Sequence, residues 1–498
     1  MRKLLLATVA ALGASMGAAA VAEAQTGGPE PGTVTVRLNG RFRFYGGIIT
    51  DRDVNNNASS TSGGNGTLAG NFDATGNGVG TNSTGTNKQS SYGFGNYARL
   101  YPGFDGVAAN GLKYGASLEI RQDNNVGAGG GVYGSVGRQN ATRSALYFRR
   151  EWGYIGTDQL GTIRLGSADQ PTSLYMTGNF ENFNDGGFNG DVGGLAAPNT
   201  QLTWPFADSG SYYSTTKVIY LSPQLYGFDF GVSYEPNTGG TGNNDACNSS
   251  NGGFSTNYVN SAGIFTQASG ANSNGVAGPG CDRLSSSPVG GESARRKNTV
   301  DVLLRYRGTF GAFGLAATAA YVGGGHVLDN SGTPFNNNPL LTGGARPNYD
   351  GLSVGDFGVA LTYGGLSVGG KYQFGRYNGQ MGILVPKGLP DSEAALVGVS
   401  YTFGPAIVGA HYLYNKSAGD VNNAFFGRQR TEQGIAAGAT YSLAPGLSLF
   451  ASYLYGERKQ NGYNFITGQG VSGGSAAGNP FSNKITSQVF AVGTGFSW

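Results

Sequence analysis

The feature that most constrains this chain is an alternation of apolar with small or polar residues, which recurs from Thr33 to the final residue. Successive side chains of a β-strand point to opposite faces, so the alternation predicts strands with one apolar face. The end of the chain shows it clearly, because one face is formed by Phe490, Val492, Thr494, Phe496 and Trp498. Such a strand is suited to one face in lipid and one in water. In lipid only closure of the sheet pairs every backbone group, which predicts a membrane-spanning barrel.

Connections between the predicted strands are short and long in turn. Seven short connections predict tight turns, at 103–111, 156–161, 222–227, 308–313, 364–365, 404–405 and 444–446. Eight long connections separate the strands of each hairpin, at about 51–91, 124–142, 171–215, 237–298, 326–354, 378–392, 417–432 and 458–484. The sequence therefore predicts an all-β protein, a transmembrane antiparallel barrel of sixteen strands with short periplasmic turns and long extracellular loops. A secreted soluble β-fold would also alternate, but its core would not need sixteen strands with charge on one parity.

The start of the chain predicts export. Arg2 and Lys3 precede an uncharged stretch at 4–22, and Ala22-Glu23-Ala24 provides a cleavage site flanked by small residues. We therefore expect residues 1–24 to be a signal peptide and residues 25–498 to form the barrel. The alternative is an uncleaved helical anchor, since an uncharged stretch of this length could nearly span a bilayer.

Composition and motifs argue against several other functions. Only 12% of the residues are charged and the formal net charge is +3, which gives no basis for a nucleic-acid partner. The G-x-S-x-G pattern occurs at 351–355 and 365–369, but neither copy precedes a helical pattern. We expect no enzymatic activity, no cofactor and no metal site. His411 lies on an inward parity, which predicts that it lines the lumen.

Two further residue sets are candidates for a structural or functional role. Cys247 and Cys281 share one long connection, and an isolated pair in an exported protein predicts a disulfide. The inward parity of the first five strands carries eight arginines: Arg37, Arg41, Arg43, Arg99, Arg121, Arg143, Arg149 and Arg164. A barrel of sixteen strands is wide enough for water, so these arginines would form one basic wall of a wet lumen. Alternatively, several lie at the rims and bind anionic lipid or one another.

Two segments resemble the Gram-negative general diffusion porin family: REWGYIGTDQLGTIRLGSADQP at 150–171 and KVIYLSPQLYGFDFGVSYE at 217–235. The opening strand and the terminal aromatic also match, although Trp498 stands where the family most often has Phe. The resemblance implies a homotrimer of sixteen-stranded barrels in the outer membrane, surrounded by its lipid and lipopolysaccharide. Each barrel would be a water-filled channel for passive diffusion of small hydrophilic solutes and ions.

The resemblance also implies that the third long loop, 171–215, folds into the lumen and narrows it. Its segment ENFNDGGFNGD looks like the acidic constriction segment of the family, with Glu181, Asp185 and Asp191 as the acids. Acids opposite a basic wall would create a transverse field, with Arg41, Arg43, Arg99 and Arg149 as its basic side. Two alternatives remain: a channel specific for one solute class, and a barrel whose long loops serve adhesion or surface structure.

Overall fold

The computed structural model describes residues 30–52, 91–123, 147–195, 201–206, 215–237, 257–259, 265–267, 296–326, 349–419, 429–465, 469–470 and 483–498. Their strands are β1 (Thr33–Arg52), β2 (Tyr92–Val107), β3 (Lys113–Asp123), β4 (Tyr147–Thr157), β5 (Gly161–Ser167), β6 (Thr216–Leu221), β7 (Phe228–Asn237), β8 (Asn257–Val259), β9 (Phe265–Gln267), β10 (Arg296–Phe310), β11 (Phe313–His326), β12 (Leu352–Tyr363), β13 (Leu366–Arg376), β14 (Ser392–Phe403), β15 (Ala406–Ser417), β16 (Arg430–Ala444), β17 (Leu447–Gln460), β18 (Tyr463–Asn464), β19 (Gln469–Gly470) and β20 (Lys484–Ser497).

Sixteen of these strands form a closed antiparallel barrel, in which each strand pairs with the next barrel strand along the chain. The remaining four form two short hairpins, β8 with β9 and β18 with β19. The predicted sixteen-stranded barrel is confirmed. Among the described residues, no helix is long and apolar enough to cross a membrane.

The barrel closes where the first and last strands meet. β1 and β20 are antiparallel partners over a register that begins at Arg41 with Ser497 and ends at Arg52 with Thr486. One residue further, the Trp498 amide donates to the Gly40 carbonyl (3.2 Å) and the Gly40 amide donates to the Trp498 carbonyl (3.1 Å). The Trp498 indole lies directly over Gly40, where a Cβ atom would collide with it. The terminal aromatic is therefore packed into the closing seam.

Alternate residues of each strand face opposite sides of the wall, as the sequence predicts. On β14 the Val399 side chain is 42% exposed, whereas the neighbouring Ser400 is 2% exposed. On β10 Val302 and Leu304 are exposed and Asp301 is buried. The apolar parity forms the outer surface, and the polar parity faces the lumen or the segments packed there.

Two predicted turns begin several residues later in the structure than in the prediction, and one is the turn at 308–313, because β10 continues through Gly308 to Phe310. The predicted turn at 103–111 is wrong at its start, because β2 continues to Val107 and pairs with Lys113 of β3. The Pro-Gly pair at 102–103, which suggested a turn, lies within the paired strand. The predicted signal peptide, both cysteines of the predicted disulfide (Cys247 and Cys281) and Arg143 lie outside the described residues.

The facing of β14 predicts how the barrel responds to charge. Val399→Arg should lower the free energy of unfolding by about 2–4 kcal/mol if the position lies near the bilayer midplane, because the guanidinium would enter lipid. Thr402→Arg is the control, since Thr402 shares the inward parity of Ser400 and is exposed. Urea titration of the protein in bilayers measures both. Equal stability of the two variants would contradict the assigned facing.

Candidate functional site

The chain segment after β5 turns into the barrel at a short helix, α1 (Pro171–Leu174). The Thr172 amide and hydroxyl donate to the Asp301 carboxylate of β10, at 3.1 and 2.6 Å. The Pro171 ring lies against Gly231 of β7, leaving no space for a side chain there. Both partners lie on the inner side of the wall, so α1 fixes the start of the segment inside the barrel. We call residues 171–195 and 201–206 the inner loop.

The inner loop then crosses successive strands at glycines. Thr177 and Gly178 lie over Gly358 of β12 and Gly370 of β13, and further contacts join Phe180 to Gly398, Phe183 to Gly409, Asn184 to Gly438, and Leu202 to Gly456. A Cβ atom on any of the wall glycines except Gly370 would collide with the loop, and a Cβ atom on Gly178 of the loop would collide with the Gly370 carbonyl oxygen. Because these glycines have no side chains, they leave a groove along the inner wall in which the loop packs. We call this groove the glycine track.

An aromatic cluster holds the loop to β15. The His411 imidazole lies among the rings of Phe183, Phe188 and Trp204, with ring centroids 5.6–5.9 Å apart. Its Nδ1 lies 3.0 Å from the Phe180 carbonyl oxygen. The inward parity predicted for His411 is correct, but the prediction that it lines the lumen is wrong. The loop covers it, and it serves as an anchor.

A tight turn positions the acidic residues of the loop. Asn184 has a positive φ of 54°, and its Oδ1 accepts hydrogen bonds from the amides of Gly186 (2.8 Å) and Gly187 (2.9 Å). The Asn184 Nδ2 donates to Ser452 of β17 (3.1 Å). One side chain thus closes the turn and ties it to the wall, so that the next residue, Asp185, points toward β1.

Two of the predicted acids contact predicted arginines directly. Asp185 forms an ion pair with Arg43 and also accepts the Val192 amide (2.8 Å). Asp191 forms an ion pair with Arg99 (3.0 Å). The predicted transverse field assumed acids and arginines on opposite sides of an open gap. The structure instead joins these pairs without a gap, because the loop lies against the basic wall itself.

The basic wall is a lateral row across neighbouring strands. Arg41 of β1, Arg99 of β2 and Arg121 of β3 are register partners. The guanidinium carbons of Arg41 and Arg99 lie 5.4 and 4.3 Å from the centroid of the Tyr97 ring. Cation–π contact of this kind holds like charges side by side against one buried ring.

The other predicted arginines have partners elsewhere on the wall. Arg37 pairs with Asp105, and the Arg164 guanidinium lies 4.3 Å from the Trp152 ring centroid. Arg149 and Arg121 both pair with Glu119 of β3.

Sequence reasoning missed two members of this last cluster, Glu119 and Arg150. Glu119 also accepts from the Arg150 Nη1 atom (2.8 Å), so three arginines surround one carboxylate. A register shift between Glu119 and Ile120 allows two consecutive residues, Arg149 and Arg150, to reach the inner side. A bulge breaks the strict alternation on which the parity argument rests. Glu119 shares the parity of Arg121, so the alternation of β3 could have been used to predict it as an inward residue.

The third predicted acid, Glu181, has no arginine partner in the described part of the chain. It accepts a hydrogen bond from the Asn189 Nδ2 atom (3.1 Å). Enclosure by the loop and the wall raises the pKa of Glu181 to about 7, although hydrogen bonds from Asn189 and Asn179 oppose the rise. Burial also raises the pKa of Asp185, and the Arg43 charge counteracts it.

A comparison of the chain with known protein families shows which family it belongs to. The Gram-negative porin family matches residues 7–461. The chain belongs to this family. It is an outer-membrane β-barrel that crosses the membrane many times and forms a channel for passive diffusion.

Solved structures similar to this porin include two outer-membrane proteins. OmpT of Vibrio cholerae has 13% identity and a TM-score of 0.44, with 93% of this chain and 98% of that chain covered. A triple mutant of Rhodopseudomonas blastica porin has 13% identity and a TM-score of 0.42, with 93% of this chain and 100% of that chain covered. A comparison with curated proteins gave no match.

The environment of Glu181 predicts a pH-dependent selectivity. With a pKa of about 7, Glu181 is neutral below that pH and negative above it. Raising the pH from 6 to 8 should therefore shift the reversal potential in a salt gradient toward cations. Glu181→Gln should flatten this dependence, with Asn189→Ala as a control that keeps the carboxyl group. A pH profile that is identical in the parent and in Glu181→Gln would exclude Glu181 as the titrating group.

Proposed function

We propose that this porin is a general diffusion channel for small hydrophilic solutes and ions, and that its narrowest section is bounded by the inner loop and by the part of the basic wall on β1–β5 that the loop leaves uncovered. One observation carries the proposal: the loop is fixed inside the barrel at both α1 and the glycine track, beside a row of arginines. A wet lumen narrowed by charged groups selects by size and charge.

The residues that we assign to the constriction fall into two groups. Asp185 with Arg43 and Asp191 with Arg99 join the loop to the wall. The second group consists of wall residues whose contacts described above are with other wall residues: Arg41, Arg121, Arg149, Arg164 and Glu119. The first group sets the position of the loop, and the second contributes to the potential that a passing ion meets.

We infer that the chain does not act as an enzyme. The first G-x-S-x-G copy runs into β12 and the second into β13, so neither lies on the turn from a strand into a helix that a nucleophilic serine requires. The His411 ring is covered by aromatic side chains. Passive flux through a wet pore needs neither group.

We propose further that three copies assemble, as the resemblance to general diffusion porins implies. Light scattering of the detergent-solubilised protein should give three times the mass of one mature chain after subtraction of detergent. A mass of one chain in a preparation that still conducts would exclude the trimer.

The pair formed by Asp191 and Arg99 provides a test of the constriction. The purified protein should give discrete conductance steps in a planar bilayer. Asp191→Asn should shift the reversal potential toward anions, because it removes a negative charge beside Arg99. Arg99→Gln should shift it toward cations, and the double variant, with unchanged total charge, should lie near the parent.

Salt concentration supplies the control for that test. Charges in a water-filled lumen are screened over about 10 Å at 0.1 M salt and about 3 Å at 1 M, so both shifts should shrink at high salt. Reversal potentials that stay at the parental value in both single variants, with normal conductance, would place this pair away from the ion path.

A further inference from the structure

A second connection also enters the barrel. Residues 377–391 join β13 to β14, and all but the first lie in the stretch 378–392 that the sequence assigned to an extracellular loop. Four side chains of this connection are fully buried: Tyr377, Met381, Leu384 and Val385. Three of them pack with wall residues Val322 of β11 and with Leu352 and Val354 of β12. We call residues 377–390 the second inner segment.

The wall beneath this segment carries apolar side chains on its inner face. Val322, Leu352 and Val354 lie on the inward parity, because Tyr321 and Phe357 on the other parity are exposed outward. Most inward positions of this barrel are polar or small, whereas this patch is apolar. Apolar side chains facing a wet lumen would be unfavourable unless covered. The patch and the segment thus form one small core inside the barrel.

Hydrogen bonds fix the segment to the wall on both sides. The Arg296 guanidinium of β10 donates to the Gly382 carbonyl oxygen, and the Asp350 amide donates to Val385 (3.0 Å). On the β15 side, Asn378 and Gly419 exchange two hydrogen bonds of 2.9 and 3.0 Å. The first two contacts pair the carbonyl groups of Gly382 and Val385, two buried acceptors of the segment's backbone.

The second inner segment also contacts the inner loop. The Met381 amide donates to the Pro205 carbonyl oxygen (3.1 Å), and the Gln380 Nε2 atom donates to the Trp204 carbonyl oxygen (3.0 Å). Gln373 of β13 donates to the same Pro205 oxygen (3.1 Å). The returning limb of the inner loop, 203–206, is therefore held between the second segment and the aromatic cluster around His411.

We propose that the second inner segment is a fixed constriction element, which fills the lumen beside β11–β14 near the rim of the long loops and sets the size limit for solutes together with the inner loop. This inference rests on the proposed channel function and assigns a specificity element within it. Solutes are excluded from this side and directed toward the basic wall. The restraint on 203–206 also keeps the inner loop in one position.

A shortened variant tests the proposal. Gly375 and Ser392 are register partners, so replacing residues 377–390 by Gly-Ser-Gly-Ser closes the hairpin directly. Conductance at about 1 M salt should rise, because charge effects are screened over about 3 Å there and conductance then reports geometry. The largest neutral polyethylene glycol that enters the pore should also increase in size. Lys387→Ala is the matched control, since Lys387 is an exposed residue of the same segment.

A second variant covers the case in which the shortened protein does not fold. Met381→Ser with Leu384→Ser keeps the chain length but removes the apolar contacts with β11 and β12. It should raise open-channel noise and the size limit for polyethylene glycol. If a folded variant of either kind retains the parental conductance and size limit, the segment is not a constriction element. A parent that gives no conductance at all would instead overturn the channel function.

Discussion

Closure of the backbone hydrogen-bond ladder is the constraint on which the rest of this structure depends. A strand that faces lipid has no water to satisfy its amide and carbonyl groups, so an open edge carries a cost at every residue. The pairing of β1 with β20, extended by Trp498 and Gly40, removes the last edge. Once the wall is closed, its inner face is a separate compartment, and segments that enter it meet the inward side chains of the wall rather than lipid.

Packing inside that compartment relies on residues with small or absent side chains. Gly398, Gly409 and Gly438 leave the space that the loop side chains of Phe180, Phe183 and Asn184 occupy against the wall. The ion pair of Arg43 with Asp185 then holds a carboxylate whose side chain is 1% exposed. Removing one partner of such a buried pair typically costs about 3–5 kcal/mol, because the other charge remains without compensation. Packing against the glycines positions the loop, and the ion pair makes that position more stable than alternatives in which the buried carboxylate has no partner.

Two kinds of sequence signal, strand alternation and the resemblance to a family, predicted different features of the structure. Strand alternation is local, so it predicted the sixteen barrel strands, most of their facing and the approximate positions of the seven turns, but it left the Ala- and Gly-rich β11 ambiguous. The prediction failed most clearly at two places. The bulge beside Glu119 brings Arg150 to the inner side of the wall, and β2 continues as a paired strand after its Pro-Gly sequence. The resemblance to general diffusion porins supplied the acids of the loop, but not their direct contact with Arg43 and Arg99.

The sequence by itself determined the barrel, since the period of two and the need to pair every backbone group in lipid leave one architecture. It also determined which side chains face inward wherever the alternation is unbroken, which excludes the bulge beside Glu119. Only the tertiary structure decided which inward residues meet water. His411 and the patch formed by Val322, Leu352 and Val354 share the inward parity with the arginines, yet loops cover them. That outcome depends on contacts between residues far apart in the chain, such as Met381 with Pro205, and alternation within a strand carries no information about them.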